Sequence, residues 1–99
     1  MGFVIVSFGD AATEDIYNGE PSARTRRFGP EVLKAAVRKL DMLNAAQSLD
    51  DLKVPPGNRL EALKGTLSGS HSIRVNDQWR LVFRWEDGFV KGVRLIDYH

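Results

Sequence analysis

The stretch Arg59–Trp85 reads RLEALKGTLSGSHSIRVNDQWRLVFRW, and its second half decides the fold. Ile73 and Val75 alternate with Ser72, Arg74 and Asn76; after Asn76-Asp77-Gln78, Trp79, Leu81, Phe83 and Trp85 alternate with Arg80, Val82 and Arg84. Successive side chains of a strand point to opposite faces, so a period of two marks two half-buried strands. Turn-forming residues between them join the pair as an antiparallel hairpin. One face of the hairpin is expected to bury aromatics and the other to present a row of arginines. Trp79, Phe83 and Trp85 share one parity and are expected in the core; Phe89 and Tyr98, at strand ends, are better placed to stack on bases.

Beyond the hairpin, Glu86-Asp87-Gly88 forms the next turn and Phe89–Tyr98 the last strand. Before it, an apolar run ending in Lys64-Gly65 gives a strand from Arg59, and a Ser/Gly loop over residues 65–70 leads into the hairpin. Val54-Pro55-Pro56-Gly57 is extended or turning, because neither proline fits a helix interior. Ser48 caps a single turn bearing Leu49 and Leu52. Gly29-Pro30 opens the clearest helix, with Leu33, Ala36, Val37, Leu40 and Leu43 on one face and Glu31, Lys34, Arg38 and Asp41 on the other. Asp10 suits the N-cap of a shorter helix carrying Ile16 and Tyr17, which Gly19 ends. Phe3–Phe8 is expected as a first strand with Val4, Ile5 and Val6 as a β-branched core run. A strand, two helices and four strands in that order predict an α+β fold: an antiparallel-dominated sheet with the two N-terminal-half helices packed on one face. With no repeat or linker, residues 1–99 are expected to form a single domain.

Composition narrows the class. At 99 residues with 42% hydrophobic content and two tryptophans, the chain can bury a small core. It has no cysteine, which removes disulfides and thiolate metal sites and suits a reducing cytoplasm. The N-terminal MGFVIVSF lacks a basic region, and no stretch approaches the apolar length of a membrane span, so no membrane partner is expected. Net charge is only +1, but Arg24, Arg26, Arg27, Lys34, Arg38 and Lys39 face a single acid, Glu31, between Arg24 and Leu40. That cluster is either a solvated face or a contact for an anionic partner. The loop over residues 20–27 has no large apolar side chain and three arginines.

For chemistry, His71 and His99 are the only histidines and show no metal-ligand spacing, so neither a metal nor another cofactor is expected. Ser68, Ser70 and Ser72 read as loop residues without a nucleophile context. What remains is a concentration of Lys64, Arg74, Arg80, Arg84 and Arg94 with Asp97, Tyr98 and His99. Cleavage of RNA by its own 2′-hydroxyl needs a base, cations for the crowded phosphorane and an acid for the 5′ oxygen, and these side chains are of the right kind. In a regular strand, however, Asp97 and His99 point to one side and Tyr98 to the other. On geometry alone the terminal trio is either an exposed strand end or part of a site that a local bend completes.

The LKG segment, SIRVNDQWRLVFRW and the closing Asp97-Tyr98-His99 closely resemble the HigB-type plasmid maintenance killer toxins of the RelE/ParE superfamily. The match is specific over residues 59–99 and looser over the remainder. The resemblance implies a RelE/ParE-like fold and a ribosome-dependent, metal-independent endoribonuclease that cuts mRNA in the A site. It also implies a HigA-like helix-turn-helix antitoxin as partner, with operator DNA bound only through that complex. By resemblance Lys64, Arg80, Asp97, Tyr98 and His99 line the cleavage site. Arg24, Arg26, Arg27, Lys34, Arg38, Arg74 and Arg84 are then expected to grip ribosomal RNA or mRNA. Two positions depart from the family pattern: Glu61 stands where a histidine is frequent, and His71 where a tryptophan is frequent. Glu61 could serve as a carboxylate base, or the site runs one imidazole short; His71 is a loop residue or a substitute imidazole. The alternative within the superfamily is a ParE-like inhibitor of DNA gyrase without nuclease activity.

Overall fold

The hairpin forms where the alternation places it. In the computed structural model, which describes residues 4–97, β2 (His71–Arg74) pairs antiparallel with β3 (Trp79–Glu86), Ile73 opposite Leu81 and Arg74 opposite Arg80. A two-residue strand β1 (Glu61–Ala62) flanks β2, and β4 (Phe89–Asp97) flanks β3, giving the sheet order β1-β2-β3-β4 with every pair antiparallel. Two helices complete the α+β architecture: α1 (Ala11–Asn18) and α2 (Pro30–Ala45).

The helix ends follow local rules. The Asp10 carboxylate accepts from Thr13 N–H at 2.8 Å, satisfying one of the donors that a helix start leaves open, and Gly19 closes α1. Pro30 starts α2. Ser48 N–H donates to the Asp51 carboxylate ahead of the 3-10 turn Leu49–Lys53. A bond from Gln47 N–H, joined by the one from Ser48, holds the Asp51 carboxyl below the usual carboxylate range.

Both helices cover one sheet face, where Ala36, Leu40 and Leu43 meet Ile73, Leu81, Phe83 and Leu95. Phe83 is buried as expected, whereas Trp79 and Trp85 are half-buried at the ends of β3. Trp79 meets Phe28 edge-on at 4.9 Å between ring centroids. Phe89 is exposed at the start of β4.

Four expectations are corrected here. The first strand is not a regular strand: Ile5 and Phe8 make isolated parallel bridges to Val90 and Val93, and Phe3 lies outside the described residues. The N–H groups of Val4 and Ile5 are drawn to Asn44 Oδ1 at 2.9 and 3.1 Å, which ties the segment to α2. Because only one side of the segment meets β4, Val6 is 52% exposed rather than core. The strand expected from Arg59 begins at Glu61, since Arg59 is left-handed at φ 46. Along α2, Val37 faces out while Lys39 is buried, so the apolar face is rotated from the expected one.

Sheet parity also shifts along β4. Val82 pairs with Arg94 and Arg84 with Lys91, so Gly92 and Val93 together oppose Phe83. This bulge needs the left-handed backbone that Gly92 adopts (φ 64), which a side chain would strain. Its effect is to bury Val90, Val93 and Leu95 while Lys91, Arg94 and Ile96 take the opposite side.

Candidate active site

The hairpin turn sets the position of the arginines. Asn76 Oδ1 accepts from Gln78 N–H at 2.9 Å and Trp79 N–H at 2.8 Å, so side chain and backbone close the turn together. Arg80 then lies across from Arg74, on the face away from the helices, and the Arg74 guanidinium binds the Asp77 carboxylate on the turn.

Arg80 is 8% exposed, which is unusual for a cation and explicable only by its partners. Its Nε donates to Ser72 Oγ at 2.8 Å, and its Nη2 donates to the Arg59 carbonyl at 2.5 Å. Glu61 Oε1 lies 3.7 Å from the same Nη2. Each partner is placed by a different element: Ser72 by β2, Glu61 by β1, and the Arg59 carbonyl by its left-handed turn. Behind that turn, the buried Asn58 accepts from Lys39 Nζ at 2.5 Å and donates to the Leu52 carbonyl at 3.2 Å. Burial, reinforced by the charges of Arg38 and Arg74, holds the Lys39 ammonium below the usual lysine range.

These residues enclose a cleft of about 280 Å³ lined by Arg59, Glu61, Arg74, Asn76, Asp77 and Arg80. A guanidinium stripped of water and held by Ser72 and the Arg59 carbonyl, with the Glu61 carboxylate beside it, is a preorganised donor for an anion. The half-exposed Glu61 carboxylate beside it is a proton acceptor within the same cleft. Among the described residues, no three His, Cys, Asp or Glu side chains gather where they could hold a metal ion.

Of the residues singled out from the sequence, the fold brings Arg74, Arg80 and Glu61 together. Lys64 stands exposed at the start of the 3-10 turn Gly65–Leu67 and does not line the cleft. Asp97 pairs across the ladder with Trp79 and accepts from Gln78 Nε2 at 3.0 Å, so it is at the same end of the sheet but on the other parity from Arg80. Tyr98 and His99 lie outside the described residues. His71 is in β2, not a loop; its ring stacks 6.4 Å from Phe83, on the side opposite Arg80, and does not contribute an imidazole to the cleft. Arg84 is exposed and ion-paired to Glu86 at 3.2 Å.

The basic cluster is not one patch. Lys39 points inward, Arg24 is held by Asp15 at 2.9 Å, and Arg27 lies 4.7 Å above the Phe28 ring. The bonds from Ser22 and Arg24 hold the Asp15 carboxyl below the usual range. Arg26, Lys34 and Arg38 rim an apolar groove of about 680 Å³ floored by Ile16, Phe28 and Val37.

Two of the groups that hold Arg80 escaped the sequence. Ser72 reads as loop yet is fully buried on Arg80; its signal was its shared parity with Arg74 and Arg80. The Arg59 carbonyl left no signal beyond the turn-forming Pro56-Gly57-Asn58 before it.

Residues 6–99 match the family described as the HigB-like, RelE-like toxin of type II toxin–antitoxin systems. The chain is 47% identical over 83 residues to Toxin HigB-1 of Vibrio cholerae, covering 84% of this chain and 85% of that one. A Haemophilus influenzae protein is 42% identical over 62 residues, 63% of this chain and 61% of that one. Among solved structures, two YoeB–YefM complexes from Staphylococcus aureus contain a chain with this fold, at TM-scores of 0.62 and 0.55 and 22% identity, each covering 100% of this chain and 99% of that one.

Proposed function

The chain belongs to the HigB-like family of RelE-like type II toxins, and on that footing we propose that it is a ribosome-dependent mRNA endonuclease cutting in the A site. The observation that carries this reading is Arg80, a buried guanidinium held by Ser72 and Arg59 at the floor of an open cationic cleft. A base removes the proton of the 2′-hydroxyl, the 2′ oxygen attacks phosphorus, and the P–O5′ bond breaks. The products are a 2′,3′-cyclic phosphate and, once an acid protonates the leaving oxygen, a 5′-hydroxyl. Arg80 stabilises the charge that builds on the phosphorane, with Lys64 reaching the RNA from outside the cleft. Glu61, in the cleft, and the Asp97-Tyr98-His99 end supply the proton transfers. No metal enters these steps.

The partner is a HigA-like helix-turn-helix antitoxin that neutralises the toxin, and operator DNA is bound only through that complex. No helix among the described residues is long and apolar enough to cross a membrane, and the site of action is the cytoplasm, where ribosomes are.

Purified protein added to translating ribosomes should give mRNA cuts at A-site codons and cut naked mRNA poorly. Intact mRNA together with DNA gyrase poisoning would replace this reading with the ParE-like one. Rapid, specific cleavage of naked mRNA would remove the ribosome from it.

The basic cluster is expected to dock on ribosomal RNA rather than act in the chemistry. Neutralising Arg24, Arg26 and Arg27 together should weaken ribosome association and flatten its salt dependence, with Arg24 contributing least because Asp15 already holds it. Unchanged affinity across ionic strengths would make these arginines a solvated face.

A further inference from the structure

The open sheet face continues past Arg80. A second cleft, of about 290 Å³, lies beyond Val82 and is lined by Gly9, Ser70, Arg84, Gly92 and Arg94 among others. We propose that this cleft binds the RNA phosphate next to the one held at Arg80, with Arg94 as its cation. The inference deepens the nuclease reading by naming a neighbouring subsite, and it rests on that reading.

Strand register places the two arginines side by side. Arg80 pairs with Ile96 and Val82 with Arg94, which makes Arg94 the diagonal neighbour of Arg80 on the same face. Such diagonal positions are about 7–8 Å apart, comparable to one nucleotide step along an extended strand. Val82, the cross-strand partner of Arg94 and two residues beyond Arg80, is buried and lines the second cleft.

The cations of this face differ in how they are paired. On this face Arg74 is engaged by Asp77, while Arg84 and Lys91 share Glu86. Arg94 makes no hydrogen bond or ion pair with any described residue, although it is half-buried. A guanidinium has five donors and is costly to leave partly desolvated and unmatched, and a phosphate is the oxyanion that a fork of this shape fits.

Backbone packs closely behind Arg94. A Cβ added to Gly9 would come within 2.8 Å of the Gly92 carbonyl oxygen and 3.2 Å of Arg94 Cδ. The missing side chain lets the N-terminal segment lie against the β4 bulge and along the stem of Arg94. Gly9 N–H donates to the Val93 carbonyl at 2.7 Å, and Gly92 N–H donates to Ser7 Oγ at 2.9 Å, so the wall behind the stem is pinned on both sides. The arginine is therefore aimed by backbone rather than by an acid, which leaves its charge for a ligand.

The test uses a short single-stranded RNA with one 2′-deoxy nucleotide at the cleavage position, so that binding is measured without cleavage. Fluorescence anisotropy across ionic strength compares the wild type with Arg94→Gln, Arg94→Lys and Lys53→Gln. Lys53 is an exposed cation paired with Asp50 and serves as the control for net charge. Arg94→Gln should weaken binding about tenfold and lower the slope of log affinity against log salt by about 0.7, the share of one phosphate on a single strand. Arg94→Lys should keep the slope, and Lys53→Gln should match the wild type. Equal losses for Arg94→Gln and Lys53→Gln would overturn the site. So would an unchanged slope in Arg94→Gln, or a wild type that shows no salt-dependent binding at low ionic strength. Cleavage on ribosomes is scored separately. If the wild type cuts no mRNA there while Arg94→Gln still loses its phosphate, the nuclease reading fails and the subsite stands.

Discussion

Replacing Arg80 with Ala is expected to slow single-turnover cleavage on ribosomes by about 10²–10³, the usual loss when one preorganised donor is removed from a developing oxyanion. Ribosome affinity should fall much less, because Arg80 is at the bottom of a cleft and is 8% exposed, with little surface to offer for docking. The substitution also leaves Ser72 Oγ and the Arg59 carbonyl without their donor, so some loss of thermal stability is expected beside the kinetic effect. Two companion variants separate these consequences. Arg80→Lys keeps the charge but cannot reach Ser72 and Arg59 together, and it should recover only part of the rate. Ser72→Ala keeps the guanidinium and loosens its aim, so it should lower the rate less than Arg80→Ala. If Arg80→Ala cuts at the wild-type rate once bound but binds ribosomes weakly, Arg80 is a docking residue.

The second large effect is expected at the C-terminus. Deleting His99 should reduce cleavage by about 10²–10⁴, the range for loss of a positioned acid or base. Asp97 is exposed, pairs with Trp79 and accepts from Gln78, and its parity is opposite to that of Arg80. Asp97 is therefore expected to act by orienting the terminal residues rather than by touching the phosphate itself. Asp97→Asn should then be milder than the deletion, and the double mutant should lose little more than the deletion alone, since the two changes remove one function. Melting temperatures of all three variants report whether the fold is kept. Near-normal cleavage by the folded deletion mutant would remove His99 from the mechanism and leave the proton transfers to Glu61. Full additivity of the two changes would show that Asp97 acts independently.

Much of the fold is local and was therefore legible. Alternation from Ser72 to Trp85, the turn at Asn76-Asp77-Gln78, the caps at Asp10 and Gly19 and the proline at the start of α2 each depend on neighbours a few residues away. Parity alone also placed Arg74 and Arg80 on one face. The basic and apolar residues of α2 were harder, because a stripe has a direction only once its neighbour is known. Asn58, nineteen residues beyond Lys39, draws that lysine inward, and Val37 turns out toward the groove.

The sequence by itself determined the two helices, the hairpin and the family, since these rest on short-range pattern and on residues 59–99 as a motif. The tertiary structure decided which members of the arginine row are held and which are left open. Arg80 became buried because β1, β2 and the Arg59 turn converge on it from separate parts of the chain. Arg94 reached the same face because the Gly92 bulge shifts β4 by one residue, an irregularity that a period of two cannot foretell. Burial and charge pairing depend on contacts between distant segments, and periodicity reports only the side on which a residue stands.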